Sequence, residues 1–116
     1  MGTENDATND VLSISSRRDG TAVVVALEGE LDLHGAGQLD AEVRRLLAAP
    51  VSSVEIDATG LEFVDSSGLR SIMVARSEAE AVGATFRITS VSATVGRVIE
   101  IAGLSDLLLP AEPNPG

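Results

Sequence analysis

Residues 21–27 carry apolar side chains at both parities, with Val23, Val25 and Leu27 on one face of a strand and Ala22, Val24 and Ala26 on the other. A strand apolar on both faces predicts a central place in a sheet. Ahead of it, Val11-Leu12-Ser13-Ile14-Ser15 predicts a first strand, and Arg17-Arg18-Asp19-Gly20 predicts the polar turn of a hairpin between the two. Farther along, Val54, Ile56 and Ala58 alternate with Ser53, Glu55 and Asp57, and Phe86 and Ile88 alternate with Thr85, Arg87 and Thr89. These are two more strands, each with one buried and one polar face. Between the strands the period changes. Leu39, Val43, Leu46 and Leu47 stand at i, i+4, i+7 and i+8, a helix that Pro50 stops. A second helix over about 67–81 turns Leu69, Ile72, Met73, Ala75 and Ala79 inward and ends at Gly83. In a third, Val95, Val98, Ile99 and Ala102 share a face, with Ser92 as N-cap, Gly103 as the residue after the C-cap, and Leu104 as the apolar contact of a Schellman ending. The run Leu107-Leu108-Leu109 predicts a last strand. The order ββαβαβα(β) predicts an α/β fold, a mixed sheet of four to five strands with its helices mainly on one face.

The ends lack such patterning. Residues 1–10 are small and polar, and residues 110–116 hold three of the four prolines, so both are expected to be flexible tails around one domain at 11–109. A chain of 116 residues has no room for a second domain. No apolar run approaches the roughly 18 residues of a membrane span, and the N-terminus has no basic region leading into an apolar core, so the cytoplasm is the expected location.

Charge and residue usage narrow the chemistry. Eight arginines, no lysine and eighteen acidic residues give a net charge of −10, which opposes nucleic acid and anionic membrane surfaces as direct partners. Without cysteine there is no disulfide, thiolate metal site or cysteine nucleophile, and the single histidine, His34, precludes a multi-histidine metal site. No cofactor is implied, and an enzyme is the less favoured class.

One segment carries chemistry. The strand carrying Val54, Ile56 and Ala58 is expected to run into a short loop, and Asp65-Ser66-Ser67-Gly68-Leu69 then opens an apolar helix. Two hydroxyls and a carboxylate thus stand where unpaired backbone N–H groups and the helix dipole favour anionic oxygen, so a phosphorylated serine is locally tolerated. Ser and Asp are also ordinary helix caps, and on spacing alone capping is the favoured reading.

Gly29-Glu30-Leu31-Asp32 after a strand, Asp65-Ser66-Ser67-Gly68-Leu69 at the second helix and Ala102-Gly103-Leu104 ending the third resemble, in that order, the anti-sigma factor antagonist family of the STAS fold. The resemblance spans nearly all of residues 11–109 and rests most on the Asp-Ser-Ser-Gly-Leu element. It implies a protein-binding switch with Ser66 as the phosphorylation site. Asp32 and Asp65 are then expected to shape partner binding, with Ser67, Gly68, Arg70 and Val74 as further partner contacts. The implied partner is an anti-sigma factor, often a serine kinase of the histidine-kinase-like ATPase fold, which the unphosphorylated form binds to release a sigma factor. Phosphorylation would end binding, and a PP2C-type phosphatase would restore it.

Other readings stand beside this one. A STAS binding subunit of a stress-signalling or lipid-transport complex, without a phosphoswitch, fits the same pattern, while the lack of a membrane segment leans against a transporter. A serine hydrolase would need Ser66 or Ser67 as nucleophile and His34 as base, and no Gly-x-Ser-x-Gly surrounds either serine. His34 is expected to be a surface or capping residue of a loop, and Gly35 and Gly37 lack the third glycine of a dinucleotide fingerprint. Arg70 and Val74 are expected to face outward one turn beyond Ser66, and Arg76 to extend its charged end past the apolar stripe.

Overall fold

The computed structural model describes residues 12–109 and, for the backbone, Ala7 and Thr8. Chain order is β1 (Ala7–Thr8), β2 (Leu12–Asp19), β3 (Ala22–Leu31), α1 (Leu33–Leu47), β4 (Ser53–Val64), α2 (Ser66–Ala81), β5 (Thr85–Val91), α3 (Ala93–Ile101) and α4 (Ser105–Leu108). The strands form one mixed sheet in the order β1-β2-β3-β4-β5, antiparallel across β1, β2 and β3 and parallel from β3 through β5. This is the expected α/β architecture. β3 is central, and its two apolar faces differ: Val23, Val25 and Leu27 are fully buried, while Ala22, Val24 and Ala26 are half-buried. On β4 and β5 the apolar set Val54, Ile56, Ala58, Phe86 and Ile88 is buried, and Glu55, Asp57, Arg87 and Thr89 stand on the open face.

The outer strands differ from expectation. Leu107-Leu108-Leu109 does not finish the sheet: Leu107 and Leu108 amides donate to the Leu104 carbonyl at 3.1 and 3.0 Å, and the segment closes as α4 with Leu108 buried. A three-residue apolar run has no period of its own, and the reversal at Gly103 (φ 78°) delivers it to a helical turn. The fifth strand comes instead from Ala7–Thr8, within the stretch expected as a tail, which pairs with Ile14 and Ser13. The C-terminal tail expected at 110–116 lies outside the described residues, as do residues 1–6 and 9–11. The hairpin turn narrows to Gly20 and Thr21, because β2 runs on to pair Asp19 with Ala22, and Gly20 takes the positive φ (66°) of a two-residue turn.

Irregular pairing on β4 and polar anchoring of α1 set where the first two long helices begin. β4 carries one extra residue opposite Ala26–Glu28 and another opposite Gly29–Glu30, so its inward residues change from every second to every third: Ala58, Leu61, Val64. These bulges put Phe63 at the surface and deliver Asp65 to the start of a helix. α1 and α2 lie side by side, α1 leaning on β3 and α2 on β4 and β5. The anchor of α1 is Glu42, almost fully buried, which accepts from Ser16 Oγ at 2.6 Å and from Arg45 Nη2 at 2.6 Å; Arg18 donates to the Leu46 and Pro50 carbonyls at 2.7 and 3.0 Å. The Arg45 guanidinium holds the Glu42 carboxyl below its ordinary range, with Ser16 adding to the effect and burial opposing it.

Candidate functional site

The parallel pairing of β3 with β4 places Leu31 opposite Val64, so the next residues in each chain segment, Asp32 and Asp65, begin two neighbouring helices on one edge of the sheet. Each carboxylate is an N-cap. Asp32 Oδ1 accepts from the amides of His34 and Gly35 at 3.0 and 3.1 Å, and Asp65 Oδ1 accepts from the amide of Gly68 at 2.9 Å. The Asp65 amide donates to the Leu31 carbonyl at 3.3 Å, tying the start of α2 to the end of β3.

With Asp65 as the cap, Ser66 is the first helical residue and is exposed. Its hydroxyl has no hydrogen-bond partner among the described residues, and the amides of Ser66 and Ser67 have no protein acceptor there. The capping role that could have explained a serine here belongs to its neighbour. An oxyanion on Ser66 would meet two free N–H donors and the positive end of α2.

Gly68, expected among the partner contacts, is buried in this structure. A Cβ at 68 would overlap the Leu31 carbonyl oxygen and come within 2.7 Å of Val64 Cγ2 and 3.0 Å of Leu31 Cγ. Its lack of a side chain lets α2 start against β3, a positioning role. Nearby, buried Ser71 bonds back to the Gly68 carbonyl at 2.8 Å.

Ser67, Arg70 and Val74 line one wall of a groove of about 410 Å³ between α2 and α1, and Leu33, Ala36 and Asp40 line the other. Arg70 is exposed as expected, whereas Val74 is half-buried in the groove wall. The structure adds apolar residues that the sequence pattern does not single out. Leu33 on the groove is 71% exposed, and Phe63 at the end of β4 is 46% exposed. Leu33 falls off the Leu39-Val43-Leu46 stripe, a signal usable only once the helix start at Asp32 is known; Phe63 is exposed by the bulges, which leave no sequence mark. Glu30, Asp32, Glu62 and Asp65 give this edge a concentration of carboxylates with no ion-pair partner among the described residues.

His34 is the second residue of α1 rather than a loop residue; it is exposed, and its backbone serves the Asp32 cap. Arg76 is half-buried, and its guanidinium reaches Glu80 at 3.1 Å, one turn on. Among the described residues no cluster of three or more His, Asp or Glu side chains is placed to hold a metal ion, and no helix is long and apolar enough to cross a membrane.

Comparison with known proteins agrees with this fold. The family model described as Mlab, STAS domain, matches residues 14–110. The anti-sigma F factor antagonist of Lysinibacillus sphaericus is 31% identical over 90 residues, 77% of either chain. The anti-sigma factor antagonist SpoIIAA in its unphosphorylated form superposes with a TM-score of 0.73 at 28% identity, over 85% of this chain and 88% of that one. The Bacillus cell fate determinant SpoIIAA in the phosphorylated form superposes with a TM-score of 0.66 at 27% identity, over 85% and 91%. With the fold, the order of the motifs and these relatives in agreement, the chain belongs to the STAS-domain family of anti-sigma factor antagonists.

Proposed function

We propose that this protein binds an anti-sigma factor through the edge formed by the starts of α1 and α2, so releasing a sigma factor, and that phosphorylation of Ser66 ends the binding. The observation that carries the reading is Ser66 itself: exposed, hydroxyl unpartnered, at the first position of a helix already capped by Asp65. Asp32 and Asp65 shape the contact as flanking carboxylates held by their own cap bonds, and Ser67, Arg70, Val74 and Leu33 supply the groove that an apolar partner group enters. That a relative has been captured both with and without phosphate supports a switch in this chain. The protein acts by binding. The chemistry belongs to its partners, a serine kinase of the histidine-kinase-like ATPase fold and a PP2C-type phosphatase.

The sign of the switch comes from the site. A phosphoryl group adds about −1.5 to −2 charges at pH 7 and finds free amide donors at the start of α2, so the fold tolerates it. In a covered interface the same charge faces desolvation and the nearby carboxylates, which costs several kcal/mol of binding. Phosphorylation therefore acts on the interface and leaves the fold in place.

The test is incubation with candidate anti-sigma kinases of the same organism and ATP, read by intact mass spectrometry with Ser66→Ala as control. One phosphate on the wild type and none on the variant is the expected result. Binding to a candidate without phosphate would make the protein an unswitched antagonist; neither phosphate nor binding would shift the reading to a STAS subunit of a stress-signalling or lipid-transport complex.

A further inference from the structure

Arg70 differs from every other arginine on α1 and α2. Arg44 has Asp40 four residues before it at 3.4 Å, Arg45 has Glu42 three before it at 2.6 Å, and Arg76 has Glu80 four after it at 3.1 Å. At the same spacings from Arg70 stand Ser66, Ser67, Met73 and Val74, none of them acidic. Across the groove the nearest element, α1, presents Asp40, whose Oδ2 lies 3.4 Å from Arg44 Nε and whose Oδ1 is buried without a hydrogen-bond partner among the described residues. Arg70 is exposed and has no ion pair or hydrogen bond among the described residues. The favoured geometry for a helical ion pair puts the anion four residues N-terminal to the cation, and for Arg70 that residue is Ser66.

We propose that Arg70 is the counter-ion of phosphorylated Ser66: modification supplies the missing acid, and the pair that forms draws Arg70 toward the helix start and out of the groove. The inference rests on the phosphoswitch reading and deepens it. Phosphorylation then acts twice, adding charge near the interface and withdrawing the cation that the described residues place on the groove walls. A guanidinium can take two phosphoryl oxygens in parallel, so the pair is directional as well as electrostatic. Long side chains on a helix lean toward its N-terminus, the direction this contact needs.

The full chain carrying phosphoserine at 66, inserted during translation so that no kinase is needed, is titrated by phosphorus NMR. Asp32 and Asp65, the acidic groups at the two helix starts, are unchanged in every variant compared. The second ionisation of the phosphate, near pH 6 when free, should fall about half a unit lower with Arg70 than in Arg70→Gln, with Arg70→Lys between them. Equal titration in the wild type and Arg70→Gln, both confirmed folded by circular dichroism, overturns the pairing. Binding of the same proteins to the anti-sigma factor keeps the two ideas apart. A shifted titration in a phosphoprotein that still binds would defeat the switch reading alone, and an unshifted one that fails to bind would defeat the Arg70 pairing alone.

Discussion

A methyl group at position 68 has no space to occupy. The Leu31 carbonyl oxygen lies inside its contact radius, and Val64 Cγ2 at 2.7 Å is 0.7 Å short of the 3.4 Å at which ordinary contact begins. The oxygen is backbone and accepts from the Asp65 amide, so relief requires the first turn of α2 to move off β3. Overpacking of this kind costs about 1–3 kcal/mol, and alanine in place of glycine in a helix returns about 1 kcal/mol. Because the obstacle is backbone, the upper part of that range applies, and Gly68→Ala should lose about 1–2 kcal/mol net. Gly37 is the control. It lies inside α1, has an ordinary helical φ, and a Cβ there meets nothing within 4 Å, so Gly37→Ala should gain up to about 1 kcal/mol. Urea denaturation followed by circular dichroism measures both, with the denaturant slope checked for constancy. If Gly68→Ala matched or exceeded the wild type in stability, helix propensity would be outweighing contact, and the close seating of α2 that places Ser66 would be wrong.

The Glu42 carboxyl titrates below its ordinary value of 4.5, so the stability it contributes is complete above that pH and is lost as pH falls through the lowered value. Glu42→Gln should be less stable by about 1–2 kcal/mol at pH 7, through loss of the charge-assisted bonds from Arg45 and Ser16, and the deficit should shrink in urea melts at pH 3.5; a deficit independent of pH would contradict this. Asp65→Ala should cost about 1 kcal/mol as a lost N-cap, while Asp65→Asn retains the cap and most of the stability; equal thermal melts for both variants would deny Asp65 its capping role. Ser66→Asp should melt within about 0.5 kcal/mol of the wild type, as an exposed first-turn substitution, and a much lower melt would mean that phosphorylation acts by unfolding.

The parts legible in the sequence are those with a period or a cap. The alternation in β4 and β5, the stripe Leu39-Val43-Leu46 and the N-cap Ser92, whose hydroxyl accepts from the Val95 amide at 3.3 Å, all arise from local chemistry. Gly103 and Leu104 complete a Schellman ending, their amides donating to Glu100 and Ile99 at 3.0 Å each. Less legible are elements too short to carry a pattern, the two-residue β1 and the single-turn α4. Asp65 and Ser66 are visible as a pair, but which of them caps the helix is decided by where the strand ends, and two bulges in β4 decide that. The groove is beyond reach for a similar reason: it depends on how closely α1 and α2 approach, a tertiary distance, and so Val74 reads as a surface residue. Gly68 can be noticed as a glycine but not assigned to the interior until Leu31 stands beside it.

The most direct measurement is the affinity of the anti-sigma factor for the unmodified protein and for the same chain carrying phosphoserine at 66, side by side by calorimetry at one salt concentration. A loss of at least about 100-fold on phosphorylation, with the thermal melt unchanged, is the predicted result, since desolvating the added charge beside the nearby carboxylates in the covered interface costs several kcal/mol. Equal affinity for the two forms would contradict the switch at Ser66.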